Sequence, residues 1–276
     1  MPGKAVAEAD YQAVAQVLES EGKSGDVVLL YPWWTERARL FLPERIPIVG
    51  YQGSDADPLE LNPRIWLLSE PNLPRSDLSA FLKSFSPSRT EAGPSRSFGN
   101  LTLQRFDNHR YRPMTLNFAS LLSTAQVYVE GPDGSRAACQ WDGKGQRCPN
   151  GSEVIEEWHE ILFAPHACLR FYPPGGPSKL VAEFSGVPAA GAVVLRAGLT
   201  WDRGWFRNPE FTPTDVGVDL NGQPAALVTI KPGDQGVRAA EGPPIPAGST
   251  VRIWSRAQNA AYRELCVELY GLEMPQ

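Results

Sequence analysis

No run of lysine and arginine occurs anywhere in the 276 residues, and the formal net charge is −5. A chain of that sign does not attract a phosphate backbone, so nucleic acid is excluded as a partner class; no basic patch points to a membrane surface. No stretch approaches the roughly 20 consecutive apolar residues that span a bilayer. The opening segment MPGKAVAEADYQ lacks the apolar core of a secretory leader. The expectation is a cytosolic protein, or a mature or excised portion of something longer. There is no Gly-x-Gly-x-x-Gly, so a dinucleotide cofactor has no support. No Gly-x-Ser-x-Gly accompanies any of the three histidines, which leaves a hydrolase triad unsupported. Gly22-Lys23-Ser24 is not a phosphate loop: the first glycine of that motif falls on Val17, and the tripeptide precedes a strand instead of following one. No cofactor, no metal and no catalytic constellation are expected.

What is present suits a folded globular protein: 42% of residues are apolar and 21% charged, enough to build one large or two ordinary domains. The chain is organised around Gly25 to Trp34, GDVVLLYPWW. Five apolar residues, Val27 to Tyr31, read as a buried strand of a parallel sheet, stopped by Pro32 and opening into a loop. In open α/β sheets ligands tend to sit at such strand ends. A helix is expected over Ala5 to Glu21, with Ala9, Ala13, Val14, Val17 and Leu18 at helical spacing. Thr35 to Leu42 reads as a second helix capped by Thr35, and Ser76 to Phe85 as a third capped by Ser76. Ile46 to Val49, Arg64 to Ser69 and Leu101 to Phe106 read as strands, the last at an edge. This alternation indicates a small α/β, Rossmann-like layer domain over residues 1–112.

After His109 helical periodicity fades. Ala125 to Glu130, Lys179 to Phe184, Ala192 to Leu199, Asp215 to Leu220, Ala226 to Ile230, Thr250 to Trp254 and Glu264 to Tyr270 read as strands between turn signals. Asn221-Gly222 suits a type I′ hairpin. The expectation for residues 113–276 is a β-sandwich of the jelly-roll kind.

Two aromatic stretches are candidate ligand sites. Trp33 and Trp34 could stack on a sugar or a lipid-linked substrate, or pack against the sheet or the β domain. Trp201, Asp202, Trp205 and Arg207 lie between two strands. Rings stack on sugar C–H faces while carboxylates and guanidiniums bond hydroxyls, and the alternative is a loop folded on its own tryptophans. The four cysteines all fall in the β half. Cys139 and Cys148 flank a short polar loop that a local disulfide could close; Cys168 and Cys266, both strand-like, could be joined across the sandwich. Such pairing fits an oxidising compartment, although four cysteines allow three connectivities. A zinc site with His159 or His166, and unpaired thiols, are the rivals. Glu153, Glu156, Glu157 and Glu160 cluster with those two histidines, which reads as a solvated acidic strand edge or loop before it reads as acid–base or metal chemistry. Asn100-Leu101-Thr102 and Asn150-Gly151-Ser152 match the glycosylation acceptor pattern.

The order helix, GDVVLLYPWW, FLPERIPIVGY, PRIWLLSE and FGNLTLQRFD, over about residues 8–108, resembles the soluble extracytoplasmic C-terminal domain of bacterial polytopic glycosyltransferases of the protein-mannosyltransferase and lipid-A-aminoarabinose-transferase type. In that family the catalytic carboxylate lies in a membrane-portion loop, so the resemblance assigns no catalytic residue here. It implies location at the outer face of a membrane. The segments WHEILFAPHACLRFYPPGG, LVAEFSGVP, VDLNGQ and RELCVELYG are similar to galactose-binding-like jelly rolls, which implies a domain appended to an envelope protein. The combined expectation is a non-catalytic extracytoplasmic module that binds a glycan, a lipid-linked sugar or a membrane-protein or envelope partner. The alternatives are a soluble accessory portion of a glycosyltransferase enzyme and a structural assembly protein.

Overall fold

The computed structural model describes residues 6–50, 58–71, 73, 76–200, 212–261 and 263–274. The chain is mostly β-strand and divides into two compact units. Among the described residues the first comprises 6–50, 58–112 and 162–165; the second comprises 113–161 and 166–274. No helix among the described residues is long and apolar enough to cross a membrane.

In the first unit α1 (Glu8–Glu21) buries Tyr11, Val14 and Leu18, spaced three and four apart. It stops at Gly22, whose N–H bonds the Leu18 carbonyl at 2.9 Å. Strand β1 (Asp26–Tyr31) pairs in parallel with β2 (Ile48–Gly50) on one side and β3 (Arg64–Ser69) on the other. Beyond them α2 (Leu78–Phe85) precedes β4 (Arg89–Glu91), β5 (Arg96–Phe98) and β6 (Leu101–Asn108). The order is β2-β1-β3-β6-β4, with β5 also on β6. Val28 and Leu30 share one apolar cluster with Trp66, Leu68 and the buried face of α1. Val27 and Leu29 share another with Ile65, Leu67 and Phe85, against which Leu78, Phe81 and Leu82 of α2 pack. With a helix on each face, neither side of β1 meets water, which is why its apolar run is unbroken.

Three local expectations are corrected. Thr35 to Leu42 is only a 3₁₀ turn, Glu36–Leu40, and the Thr35 hydroxyl donates back to the Pro32 carbonyl at 2.7 Å without capping. The second α-helix is capped by Asp77, whose carboxylate accepts from the Ala80 N–H at 2.9 Å, and not by Ser76. Strand β6 is interior: β3 pairs it along one edge, β4 and β5 along the other. Its register with β3 satisfies both partners and leaves no open ladder there.

The second unit is a jelly-roll-like β-sandwich. Its strands are β7 (Met114–Asn117), β8 (Gln126–Glu130), β9 (Arg136–Ala138), β10 (Gln140–Trp141), β11 (Gly145–Arg147), β12 (Glu153–Ile161), β13 (Ala164–Tyr172) and β14 (Lys179–Val187). They continue as β15 (Ala190–Leu199), β16 (Thr214–Leu220), β17 (Gln223–Ile230), β18 (Val237–Ile245), β19 (Ser249–Ala257) and β20 (Leu265–Leu272). One sheet runs β10-β11-β12-β13-β20-β15-β18, with β7 on β20; the other runs β17-β16-β19-β14-β8-β9. Alternate residues of the two sheets form one core: Leu169, Phe171, Val193, Leu195 and Val267 from the first face Leu180, Phe184, Val216, Val251 and Ile253 from the second. The β16–β17 hairpin turns at Asn221 and Gly222 with φ of 52° and 80°, the two left-handed residues a type I′ turn needs.

Both disulfides are present, Cys139–Cys148 and Cys168–Cys266. The second lies within one sheet, between neighbouring β13 and β20, and does not join the two layers. His166 is not in a solvated loop. It is buried on β13 and hydrogen-bonds the Glu268 carboxylate of β20 at 3.1 Å. Burial raises the Glu268 carboxyl, but the His166 hydrogen bond and the charges of His166 and Arg196 outweigh it and hold the group below the usual range.

Candidate functional site

The two tryptophans after β1 differ in their surroundings. Trp33 packs on Phe163, ring centroids 4.3 Å apart, and meets Trp34 edge-on at 5.4 Å. Phe163 is held there by its carbonyl, which accepts from the Gly50 N–H at 2.7 Å and from Arg39 at 3.1 Å. Trp33 is thus half-buried with one side of its ring against Phe163, while Trp34 stays 42% exposed. Trp201, Asp202, Trp205 and Arg207 lie outside the described residues. Among the described residues no group of three or more His, Cys, Asp and Glu is arranged to hold a metal.

The arrangement with the most evident chemistry lies on the outward face of the β17-β16-β19-β14-β8-β9 sheet. Alternation turns Tyr128, Val181, Trp254, Gly217 and Leu227 away from the core, and the registers align them into one row. Ala138 opposes Tyr128, Tyr128 opposes Val181, and Val181 opposes Trp254. Trp254 opposes Gly217, and Gly217 opposes Leu227. The row therefore crosses every strand of the sheet. A Cβ at Gly217 would run into Cζ2 and Cε2 of Trp254, so the indole lies flat where only glycine leaves room. Its N–H donates to Asp219 at 3.3 Å, and the Lys179 ammonium sits 4.0 Å from the ring centroid. Leu227 closes the row with 57% of its surface exposed.

Polar side chains flank the row on both sides. Gln126 opposes Glu183, Glu183 opposes Arg252, and Arg252 opposes Asp219. Across the row Arg136 opposes Glu130, Glu130 opposes Lys179, and Arg256 opposes Asp215. These charges neutralise one another. Arg252 binds both oxygens of Glu130 at 2.9 Å, and Arg256 reaches Asp215 at 3.0 Å. Burial and a 2.7 Å bond to Glu183 push the Tyr128 hydroxyl up to about 12, so it stays a donor at neutral pH. Burial lowers Arg252, but Tyr128, Glu130 and Asp219 more than restore it and keep the guanidinium charged. Arg252 and Glu130 stand on opposite flanks, so their pair spans the row, and Tyr128 and Val181 are only 4% and 0% exposed; the open part of the strip is the half-buried Trp254 with Leu227, and the cations and carboxylates around it are in balance. That part offers a ring face to C–H groups and paired polar atoms to hydroxyls.

None of these residues was singled out by sequence. The signal is a repeated triplet: Lys179-x-Val181-x-Glu183, Asp215-x-Gly217-x-Asp219 and Arg252-x-Trp254-x-Arg256 each place a small, apolar or aromatic residue between two charges at strand spacing.

The chain matches no protein-family model. It matches no curated protein. Among solved structures it is similar to the CBM51-2 and INT domains of Clostridium perfringens ZmpB, solved with GlcNAc (8% identity, TM-score 0.27). That match covers 53% of this chain and 25% of the other, so the chain spans about a quarter of that structure's length. It is also similar to the CBM51 of Clostridium perfringens GH95, solved with methyl-galactose, at 9% identity and TM-score 0.26 over 53% of this chain and 78% of the other. A third is a xylan-binding domain from CBM22, at 11% identity and TM-score 0.31 over 55% of this chain and 88% of the other.

Proposed function

We propose that the β-sandwich unit is a non-catalytic carbohydrate-binding module whose binding face is the outward side of the β17-β16-β19-β14-β8-β9 sheet around Trp254 and Leu227. The observation that carries this reading is the indole of Trp254 laid over Gly217 between two rows of mutually neutralised charge. Hydrogen bonds to paired, oriented charges give direction without demanding a charged ligand, so the fit is to an uncharged glycan. Lys179 occupies the ring through a half-buried cation contact and can swing aside on its flexible stem. The loop with Trp201, Asp202, Trp205 and Arg207 is kept as a second contributor on its composition. Two disulfides favour an oxidising compartment, and we place the protein outside the cytoplasm, in a cell envelope. Titration against a panel of neutral glycans, read by intrinsic tryptophan fluorescence and repeated with Trp254→Ala, tests the reading. A saturable response that Trp254→Ala abolishes supports it; silence across the panel overturns it.

A second reading treats the first unit as the small α/β, Rossmann-like part of a membrane glycosyltransferase accessory, with a lipid-linked sugar at the strand ends near Tyr31 to Trp34. It is favoured by Trp34, left exposed where β1, flanked by parallel partners, ends. Binding of a polyprenyl-phosphate sugar that Trp34→Ala abolishes and Trp254→Ala leaves intact would select it.

A further inference from the structure

A groove of about 440 Å³ opens beside the Tyr128 end of the row. Its walls include Gln126, Tyr128, Arg136, Trp141 and Gln146. Three of these, Gln126, Tyr128 and Arg136, also belong to the row or its flanks, so the groove continues the face described above. It lies where the chain passes from β9 in one sheet to β10 in the other, and it is of the size that holds a small ligand, ~300–1,000 Å³.

The end wall is built to stay in place. Trp141 is 47% exposed, yet the hairpin that carries it is braced at every turn. Cys139 and Cys148 close its base through their disulfide, and the Cys139 N–H donates to the Val127 carbonyl of β8 at 2.9 Å. Past Trp141, the Asp142 carboxylate accepts from the Lys144 and Gly145 N–H groups at 2.9 and 3.0 Å and pairs with Arg147. Arg136 supplies donors without a free charge: its guanidinium lies 3.6 Å from Glu130 and 3.7 Å from Glu183, over the Tyr128 ring at 4.4 Å. An exposed indole, the exposed carboxamide of Gln126 and a neutralised guanidinium match the hydroxyls and C–H face of an uncharged sugar unit.

We infer that this groove is the terminal subsite of the glycan-binding face: it takes the end unit of an extended, uncharged oligosaccharide laid across the strands, and Trp141 is its end wall. The inference rests on the proposed carbohydrate-binding function. From Tyr128 to Leu227 the row crosses four strand spacings of ~4.8 Å, about 19 Å, so short chains seat around Trp254 and only longer ones reach the groove. The disulfide keeps the wall ordered before the ligand arrives, which lowers the entropy cost of binding there.

The test is calorimetric titration of neutral oligosaccharides of increasing length, in the linkage the full chain binds best, with the parent, Trp141→Ala and Cys139→Ser/Cys148→Ser proteins. Affinity should rise with length in the parent. Trp141→Ala should lose roughly 3- to 10-fold on the longer chains, the worth of one aromatic contact, and nothing on the shortest. The double cysteine variant, with its fold checked by near-ultraviolet circular dichroism, should follow Trp141→Ala. Glycan binding in the parent with Trp141→Ala indistinguishable from it at every length overturns the subsite and leaves the module function standing. No binding by the parent at any length overturns the function itself.

Discussion

The ammonium of Lys179 rests 4.0 Å from the centroid of the Trp254 ring, in the middle of the outward row. The broadest aromatic surface of the face is therefore covered by a cation. A contact of this kind is worth at least ~0.5–1 kcal/mol. Lys179→Ala should strengthen glycan binding by about 2- to 5-fold, measured by calorimetry. A weaker complex instead would make the ammonium a direct donor to the sugar.

Gly217→Val makes the complementary point from beneath the ring. The added side chain must push the Trp254 indole off the strand, at a cost of about 1–3 kcal/mol of stability for overpacking. Glycan affinity should fall as far as in Trp254→Ala while the protein still unfolds cooperatively. Binding retained in Gly217→Val would mean that the flat seating of the ring is not what the ligand reads.

The proposed contribution of the segment from Trp201 to Arg207 makes its own prediction. Trp201→Ala and Trp205→Ala should each weaken glycan binding. If both variants bind as the parent does, that segment is no part of the site.

How much of this was legible in the sequence depended on how local each cause was. Val27 to Tyr31 could be read as a buried strand because an unbroken apolar run needs cover on both faces, and α1 and α2 provide it. Asn221-Gly222 could be read as a hairpin because its backbone requirement is met by the two residues themselves. The row through Trp254 could not, since it exists only through the registers of strands far apart in sequence. The pair Trp33–Trp34 was visible as aromatic, but which ring stays open is decided by Phe163, a distant residue. Cys168 and Cys266 could be read as strand residues that pair, yet their sharing one sheet instead of bridging two depends on where β20 inserts.

Glu268 contributes to acid stability in the β-sandwich. It is buried, and its folded carboxyl titrates below its unfolded value of 4.5 because His166 and Arg196 outweigh the effect of burial. The stabilisation is thus present above about pH 4.5 and is lost as pH falls through the folded value. Glu268→Gln removes the buried carboxylate that hydrogen-bonds His166 and faces Arg196, and should cost ~3–5 kcal/mol. Thermal melts from pH 7 to 3 check both points: the parent should weaken on acidification, and the variant should start lower and lose part of that pH dependence.

Asp26 plays a structural part in the first unit. Its buried carboxylate takes two hydrogen bonds from Arg64 and one from the Trp66 indole, all at 2.7 Å. Asp26→Ala should cost about 3–5 kcal/mol by stranding the guanidinium. Glycan titration of the same variant below its melting temperature should match the parent, because every residue of the proposed face lies in the other unit.

Strand β20 inserts between β13 and β15, in the interior of its sheet. During synthesis those two strands are made well before it, so each emerges from the ribosome with an unsatisfied edge that a later segment must fill. Cys168 likewise waits 98 residues for Cys266, while Cys139 and Cys148 become available nine residues apart. The nearby pair can therefore oxidise first, which removes two competing thiols before Cys168 meets its partner. Emergence in sequence order thus favours the two pairings seen here, and the open edges of the half-made sheet are where a nascent chain is most prone to mispairing.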